Sequence, residues 1–156
     1  MAERKQTQVD EETGYQSVLV AFEGGEYSPT VVQTAMRLAA KRRRGIYVLV
    51  TITVPTTSSI DAPMEEAEAV AQEMIDSARV LGGRRVAGRW EKVRPGQAGR
   101  RIVDAARQLD ARAIVALRPH RRPGASLFGR TLDTVLEERP CRVIIESAPA
   151  GEDAGR

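Results

Sequence analysis

Few residues in this chain belong to the types that carry out chemistry, and their spacing limits what they could do. His120 and Cys141 are the only histidine and the only cysteine. Two such ligands cannot build a tetrahedral zinc site, and no acidic run has the spacing of a calcium loop. No serine occupies a strand-to-helix elbow near His120, which argues against the Ser-His hydrolases. Cys141 follows Pro140 at the start of an apolar run, the place of a small core residue rather than of an activated thiolate. Glu65, Glu66 and Glu68 could be imagined as an acid and a base, but they open a helical pattern, where the positive end of the dipole favours carboxylates. Glu23 would have to serve alone as acid or base. The chain is therefore read as a binding protein and not as an enzyme.

The remaining chemistry is cationic. Arg118, His120, Arg121, Arg122 and Arg130 crowd one short stretch that runs through Gly129 and Thr131 into a helical pattern. Guanidinium groups beside a helix N-terminus can hold an anion in place of backbone amides. A solvated loop is the competing reading. A second basic run, Lys41-Arg42-Arg43-Arg44, precedes Gly45. It reads as a helix stop, with cations against the negative end of the dipole and the glycine free to turn left-handed. Lysine and arginine exceed aspartate and glutamate by three only, 24 against 21. Nucleic acid is therefore not an expected partner, unless the arginines cluster in space.

These residues must be positioned by an alternation of strands and helices. Ser17 to Phe22, Ile46 to Thr53, Ala113 to Leu117 and Arg142 to Glu146 are short β-branched or continuously apolar runs, as expected of strands covered on both faces. Val86 to Val93 is more polar, with Arg89, Glu91 and Lys92 around Trp90, as befits a guarded edge strand. Between them Ser28-Pro29 caps a helix whose Val32, Ala35, Met36 and Ala39 share a face. A second helix carries the stripe Ala67, Val70, Ala71, Met74, Ala78 and Leu81 and ends at Gly82-Gly83. A third carries Ile102, Ala105, Ala106 and Leu109, and a fourth Leu132, Val135 and Leu136 before Pro140. Five strands alternating with four helices imply an α/β fold, a doubly wound parallel five-stranded sheet of order 3-2-1-4-5 with helices on both faces.

Ligands of such sheets bind beyond the carboxyl ends of the strands where the order reverses. The candidate ligand-binding residues are accordingly Ala21, Phe22 and Glu23 at the end of the first strand, Thr51 at the end of the second, and Arg118, His120, Arg121, Arg122, Gly129, Arg130 and Thr131 after the fourth. Residues 1–14 and 148–156 are small or polar and read as disordered tails around one domain of residues 15–147. The longest apolar run, broken by Thr51 and Thr53, is far below the roughly 20 residues of a membrane span. The polar N-terminus has no secretory pattern and one cysteine forms no disulfide framework, so a cytoplasmic location is expected.

Two stretches carry a resemblance. Val-Leu-Val-Ala-Phe-Glu-Gly-Gly within Ser17 to Tyr27, and Phe128-Gly129 through Val135-Leu136 to Pro140-Cys141-Arg142-Val143-Ile144-Ile145, resemble the first strand and the last helix and strand of universal stress proteins. The likeness extends over Gln16 to Ser147 and implies a Rossmann-like, adenine nucleotide alpha hydrolase-like domain that serves as a regulatory module in stress response. Nucleotide-binding members have a loop with two glycines three apart, then nine residues, then glycine and a small hydroxyl residue. Here those glycines fall on Ala116 and Pro119, or on Leu117 and His120 in a loop one residue shorter, Arg130 stands at the hydroxyl position, and Glu23 replaces the usual Asp. A standard ATP site is not expected, and no cofactor is assigned. The alternative is an arginine-rich loop that binds ATP, AMP or another phosphate-bearing, small anionic ligand. A homodimer through Arg142, Val143, Ile144, Ile145 and Glu146 is expected, because this edge strand has charge only at its ends. The resemblance points the same way.

Overall fold

The structure, a computed structural model, describes residues 14–120, 124 and 126–148. Five runs of residues form one parallel sheet: β1 (Val18–Glu23), β2 (Ile46–Thr53), β3 (Val86–Val93), β4 (Ala113–Leu117) and β5 (Arg142–Glu146). Their order is β3-β2-β1-β4-β5, as the alternation predicts. Four helices connect them: α1 (Pro29–Leu38), α2 (Glu65–Gly82), α3 (Ala98–Gln108) and α4 (Gly129–Glu138).

The strands lack polar alternation because both faces are covered. Val18, Val20 and Phe22 of β1, with Val48, Val50 and Ile52 of β2, pack against Val31, Val32 and Ala35 of α1 and Ala71, Met74, Ile75 and Ala78 of α2. Leu19, Ala21, Leu49, Ile114 and Ala116 point the other way, against Ile102 and Val103 of α3 and Leu132 and Val135 of α4. Burying each large aliphatic side chain of this kind stabilises by about 1.5–3 kcal/mol. Two layers of helices enclosing one sheet are the result.

Local signals set the helix ends. Ser28 is the N-cap of α1, its hydroxyl accepting the Thr30 N–H at 3.3 Å, with Pro29 in the first turn. Glu65, Glu66 and Glu68 lie in the first turn of α2. Two expectations need correction. The left-handed residue after α1 is Arg44, with φ 56°, and not Gly45; α1 ends at Leu38, its next residue Ala39 is extended, and the chain reverses further on. The α2 stripe is also displaced. Val70 and Leu81 are 41% and 38% exposed while Ile75 is buried, because at 3.6 residues per turn the first two sit roughly 70–90° to the side of the face centred on Ala71, Met74, Ile75 and Ala78.

β3 is an edge strand, and its charges are engaged. Glu91 takes Arg101 Nη2 at 2.9 Å and Nε at 2.5 Å and also pairs with Arg89. The contact with Glu91 holds the Arg101 guanidinium above its usual pKa. Lys92 donates to the Ala62 carbonyl at 2.9 Å and lies over the Trp90 ring.

The approach of α3 to α4, which brings the first turn of α4 to the sheet, depends on Gly99. A Cβ at that position would lie 2.7 Å from the Thr131 carbonyl oxygen and 2.7 Å from Thr134 Cβ. Alanine there gains about 1 kcal/mol of helix propensity, but the clash with backbone pushes the helices apart. Gly99→Ala is therefore expected to lower the unfolding free energy by a net 1–2 kcal/mol, about the scale of overpacking a filled core, as read by denaturant titration. Unchanged or raised stability would show that the two helices separate freely.

Candidate functional site

The sheet order reverses between β1 and β4, and the residues beyond their carboxyl ends build the site. Ala21 and Phe22 are buried on opposite faces of β1, so of the β1 residues named above only Glu23 presents its polar group to the crevice. Gly24 and Gly25 follow, with the Gly24 N–H bonded to the Thr51 carbonyl at 2.9 Å. The Tyr27 ring tilts against Phe22 at 5.3 Å and anchors the loop. Thr51, opposite Glu23 in the register, is buried, and its hydroxyl has no partner among the described residues. It meets the loop through its backbone.

On the far side of the opening α4 begins with Gly129, Arg130 and Thr131. Gly129 has φ +77°, and a Cβ there would meet Pro119 Cγ at 3.0 Å, so the two ends of the loop after β4 touch at their neck. Thr131 Oγ1 donates a short hydrogen bond to Glu23 Oε1. This bond joins residues 108 apart in the chain and closes the space between β1 and α4. What remains under it is a void of about 20 Å³ bordered by Ala21, Phe22, Ala116, Leu117 and Leu132, enough for about one water molecule.

The described cations around the loop do not gather over this closure. Arg130 lays its guanidinium over Gly96 in the turn between β3 and α3, where a Cβ would lie 2.7 Å from Nη2. Arg118 is exposed, and its backbone N–H bonds to the Glu146 carbonyl at 2.7 Å. His120 is exposed as well. Arg121 and Arg122 lie outside the described residues. Cys141 is half-buried, and desolvation pushes its thiol pKa up, the opposite of an activated thiolate.

A larger opening lies beside the closed one, on the α2 face. A cleft of about 430 Å³ is lined by Glu23, Gly24, Gly25, Ile52, Thr53, Met64, Glu66, Ala67 and Val70. That volume is within the usual range of small-molecule sites. Sequence reasoning missed it, because Val70 reads as core when α2 is taken as one buried stripe. The partial signal was the unassigned segment from Val54 to Met64, whose last residue lines the cleft. Among the described residues no three histidine, cysteine or carboxylate side chains come together as metal ligands. Among them also, no helix is long and apolar enough to cross a membrane.

No curated protein matches this chain. Among solved structures, a universal stress protein from Archaeoglobus fulgidus matches at 26% identity with a TM-score of 0.57, over 84% of this chain and 98% of that one. The universal stress protein from Archaeoglobus fulgidus in complex with dAMP matches at 21% identity, with a TM-score of 0.54, over 84% of this chain and 97% of its own. A universal stress protein in complex with cAMP matches at 20% identity with a TM-score of 0.55, over 87% of this chain and 99% of its own. At those identities the two complexes show a shared fold. The model described as Universal stress protein family matches residues 14–145, most of the chain and all five strands save Glu146, and the chain belongs to that family.

Proposed function

We propose that this universal stress protein is a homodimeric regulatory module, binding partners without a standard ATP site. One observation carries the reading. The Thr131 hydroxyl and the first turn of α4, where a phosphate would meet helix N–H groups, face a carboxylate of the chain itself, Glu23. An anionic ligand would have to displace that carboxylate and approach it at close range, and like charges at a few ångströms oppose one another by more than in bulk water. Ala116 and Pro119 stand where the nucleotide-binding pattern has glycines, and proline has no N–H to offer.

A second reading is favoured by the cleft beside Glu23 and by the exposed Arg118 and Arg130. In it, Ile52, Met64, Ala67 and Val70 would cover an adenine ring and the arginines would take the phosphate of AMP, ATP or another phosphate-bearing ligand. The dAMP and cAMP complexes of the two relatives make adenine nucleotides the first ligands to try.

Thermal unfolding with ATP, AMP and cAMP separates the two. A ligand at one hundred times its dissociation constant stabilises by about 2.7 kcal/mol, a rise in Tm on the order of 10 °C for a domain of this size. The first reading expects no resolvable rise for the wild type and a gain of response in Glu23→Gln, which removes the charge. A rise of several degrees in the wild type overturns it in favour of the second. In that case Arg130→Ala should weaken the nucleotide by about 1.5–3 kcal/mol, the scale of a charged hydrogen bond, and unchanged affinity would remove Arg130 from the site.

The dimer is proposed through β5, the edge opposite β3. Val143, Ile144 and Ile145 are half-buried in one protomer. The charged ends are engaged within the chain, Arg142 donating to the Tyr15 hydroxyl at 3.0 Å and Glu146 accepting from the Thr34 hydroxyl at 2.7 Å. The apolar middle is left to meet a copy of itself across a two-fold axis. Sedimentation at tens of micromolar should give about twice 17.1 kDa, and Ile144→Lys should shift the protein toward monomer. A monomeric wild type refutes the interface.

A further inference from the structure

We propose that the amino-terminal end of the sheet is a docking face for the phosphate backbone of a nucleic-acid duplex. The first residues of the five strands are aligned across the sheet: Val86 opposite Ile46, Ile46 opposite Val18, Val18 opposite Ala113, and Ala113 opposite Arg142. At about 4.8 Å between neighbouring strands this line is about 19 Å long. The segments that return from the helices to it, residues 39–45, 83–85, 109–112 and 139–141, contain eight cations and one carboxylate, Asp110. A local charge of +7 stands against +3 for the whole chain, so the rest of the protein is net negative. Small overall charge conceals a concentrated patch.

Hydrogen bonds hold the segments side by side. The Arg44 N–H donates to the Arg84 carbonyl at 3.0 Å, Val18 N–H to the Gly45 carbonyl at 2.9 Å, and Arg112 N–H to the Ser17 carbonyl at 2.8 Å. Two arginines are spent on the fold: Arg85 caps the Met36 and Ala39 carbonyls at 2.7 and 3.0 Å, and Arg42 binds the Gln16 carbonyl at 2.9 Å. Lys41, Arg43, Arg44, Arg84, Arg112 and Arg139 are exposed and have no side-chain partner among the described residues.

Helix ends alone do not account for them. Four helix C-termini together present roughly −2 charges at about half a charge each, which leaves an excess near +5. Three non-glycine residues of these segments hold left-handed φ, Arg44 at 56°, Asp110 at 49° and Arg139 at 40°, where glycine would be relaxed and another residue costs on the order of 1 kcal/mol. Two of the three are arginines.

The partner follows from the chemistry. Guanidinium groups bind phosphate oxygens in bidentate fashion and prevail over lysine here by seven to one. The exposed apolar residues nearest this end, Val80 and Leu81, belong to α2 and not to these segments, so the segments bring no apolar wedge for a bilayer. The four segments contain no aromatic side chain on which single-stranded bases could stack. A row about 19 Å long matches roughly five phosphates along one strand of a duplex.

The test is fluorescence anisotropy with labelled DNA and RNA duplexes of mixed sequence, titrated across salt. Binding to either, without sequence preference and with log affinity falling against log salt at a slope of about −4.5, is expected for roughly five phosphates at ~0.9 per neutralised phosphate. Replacing Arg43, Arg84 and Arg112 together by alanine should reduce the slope by about 2.7 on the same scale and the affinity by at least tenfold. Arg89→Ala, which removes a cation from the middle of β3, should change affinity less than twofold. Circular dichroism of the triple variant checks its fold, and the salt slope of the wild type stands without it. No duplex binding at low salt, equal binding by the triple variant, or binding to phosphatidylserine vesicles alone overturns the proposal. The face lies at the opposite end of the sheet from Glu23 and Thr131, so nucleotide binding in the crevice decides nothing about it.

Discussion

A parallel sheet covered by helices on both faces leaves its central strands no side on which to carry charge. Placing an unpaired ion in that interior costs far more than one strand can return. In this protein the central strands obey the constraint strictly, with Val18, Leu19, Val20, Val48, Leu49, Ile114 and Val115 all without exposed surface. Among the described residues charge is confined to the helix exteriors, the two edge strands, and the strand ends and loops at the two ends of the sheet. Function has to be read at the edges and ends, and each differs from the others for a physical reason.

At the carboxyl ends the helix N-termini turn their positive poles toward the crevice, which favours an anion. The chain supplies one from within. Glu23 stands at the end of β1 and accepts from Thr131 in the first turn of α4, so attraction that would otherwise recruit a ligand holds two elements of the fold together. The adjoining cleft is lined on its α2 side by Met64, Ala67 and Val70 and remains accessible. A site whose polar half is internally satisfied and whose apolar half is open suits recognition by shape more than by charge.

At the amino ends the logic is reversed. Helix C-termini bring negative poles, cations gather to them, and here the cations outnumber what the poles can attract. The edges differ in the same physical way. β3 carries Arg89, Glu91 and Lys92 along its length, whereas β5 carries charge only at Arg142 and Glu146, and both of those are tied down within the protomer. One edge is occupied by charged side chains engaged with neighbouring elements, and the other is apolar where it is unpaired.

The strands were legible in the sequence because being covered on both faces demands consecutive apolar residues, and Val18 to Phe22, Ile46 to Val50 and Ala113 to Leu117 each show them. Ser28-Pro29 and the glutamates of α2 were legible because capping and dipole effects act within a single turn. The alternation of elements implied a doubly wound sheet, and two wound halves meeting between the first and fourth strands have the order the structure shows. Tertiary structure alone decided the rest. Val70 reads as core until the rotation of α2 over the sheet is known, and Gly45 reads as the left-handed residue until the turn places Arg44 there. The Glu23–Thr131 bond spans 108 residues, and the basic face is assembled from four segments that are each unremarkable alone. Local signals act through neighbours in the chain, but a charge field or a closed crevice is a sum over neighbours in space, and only the packed sheet determines which residues those are.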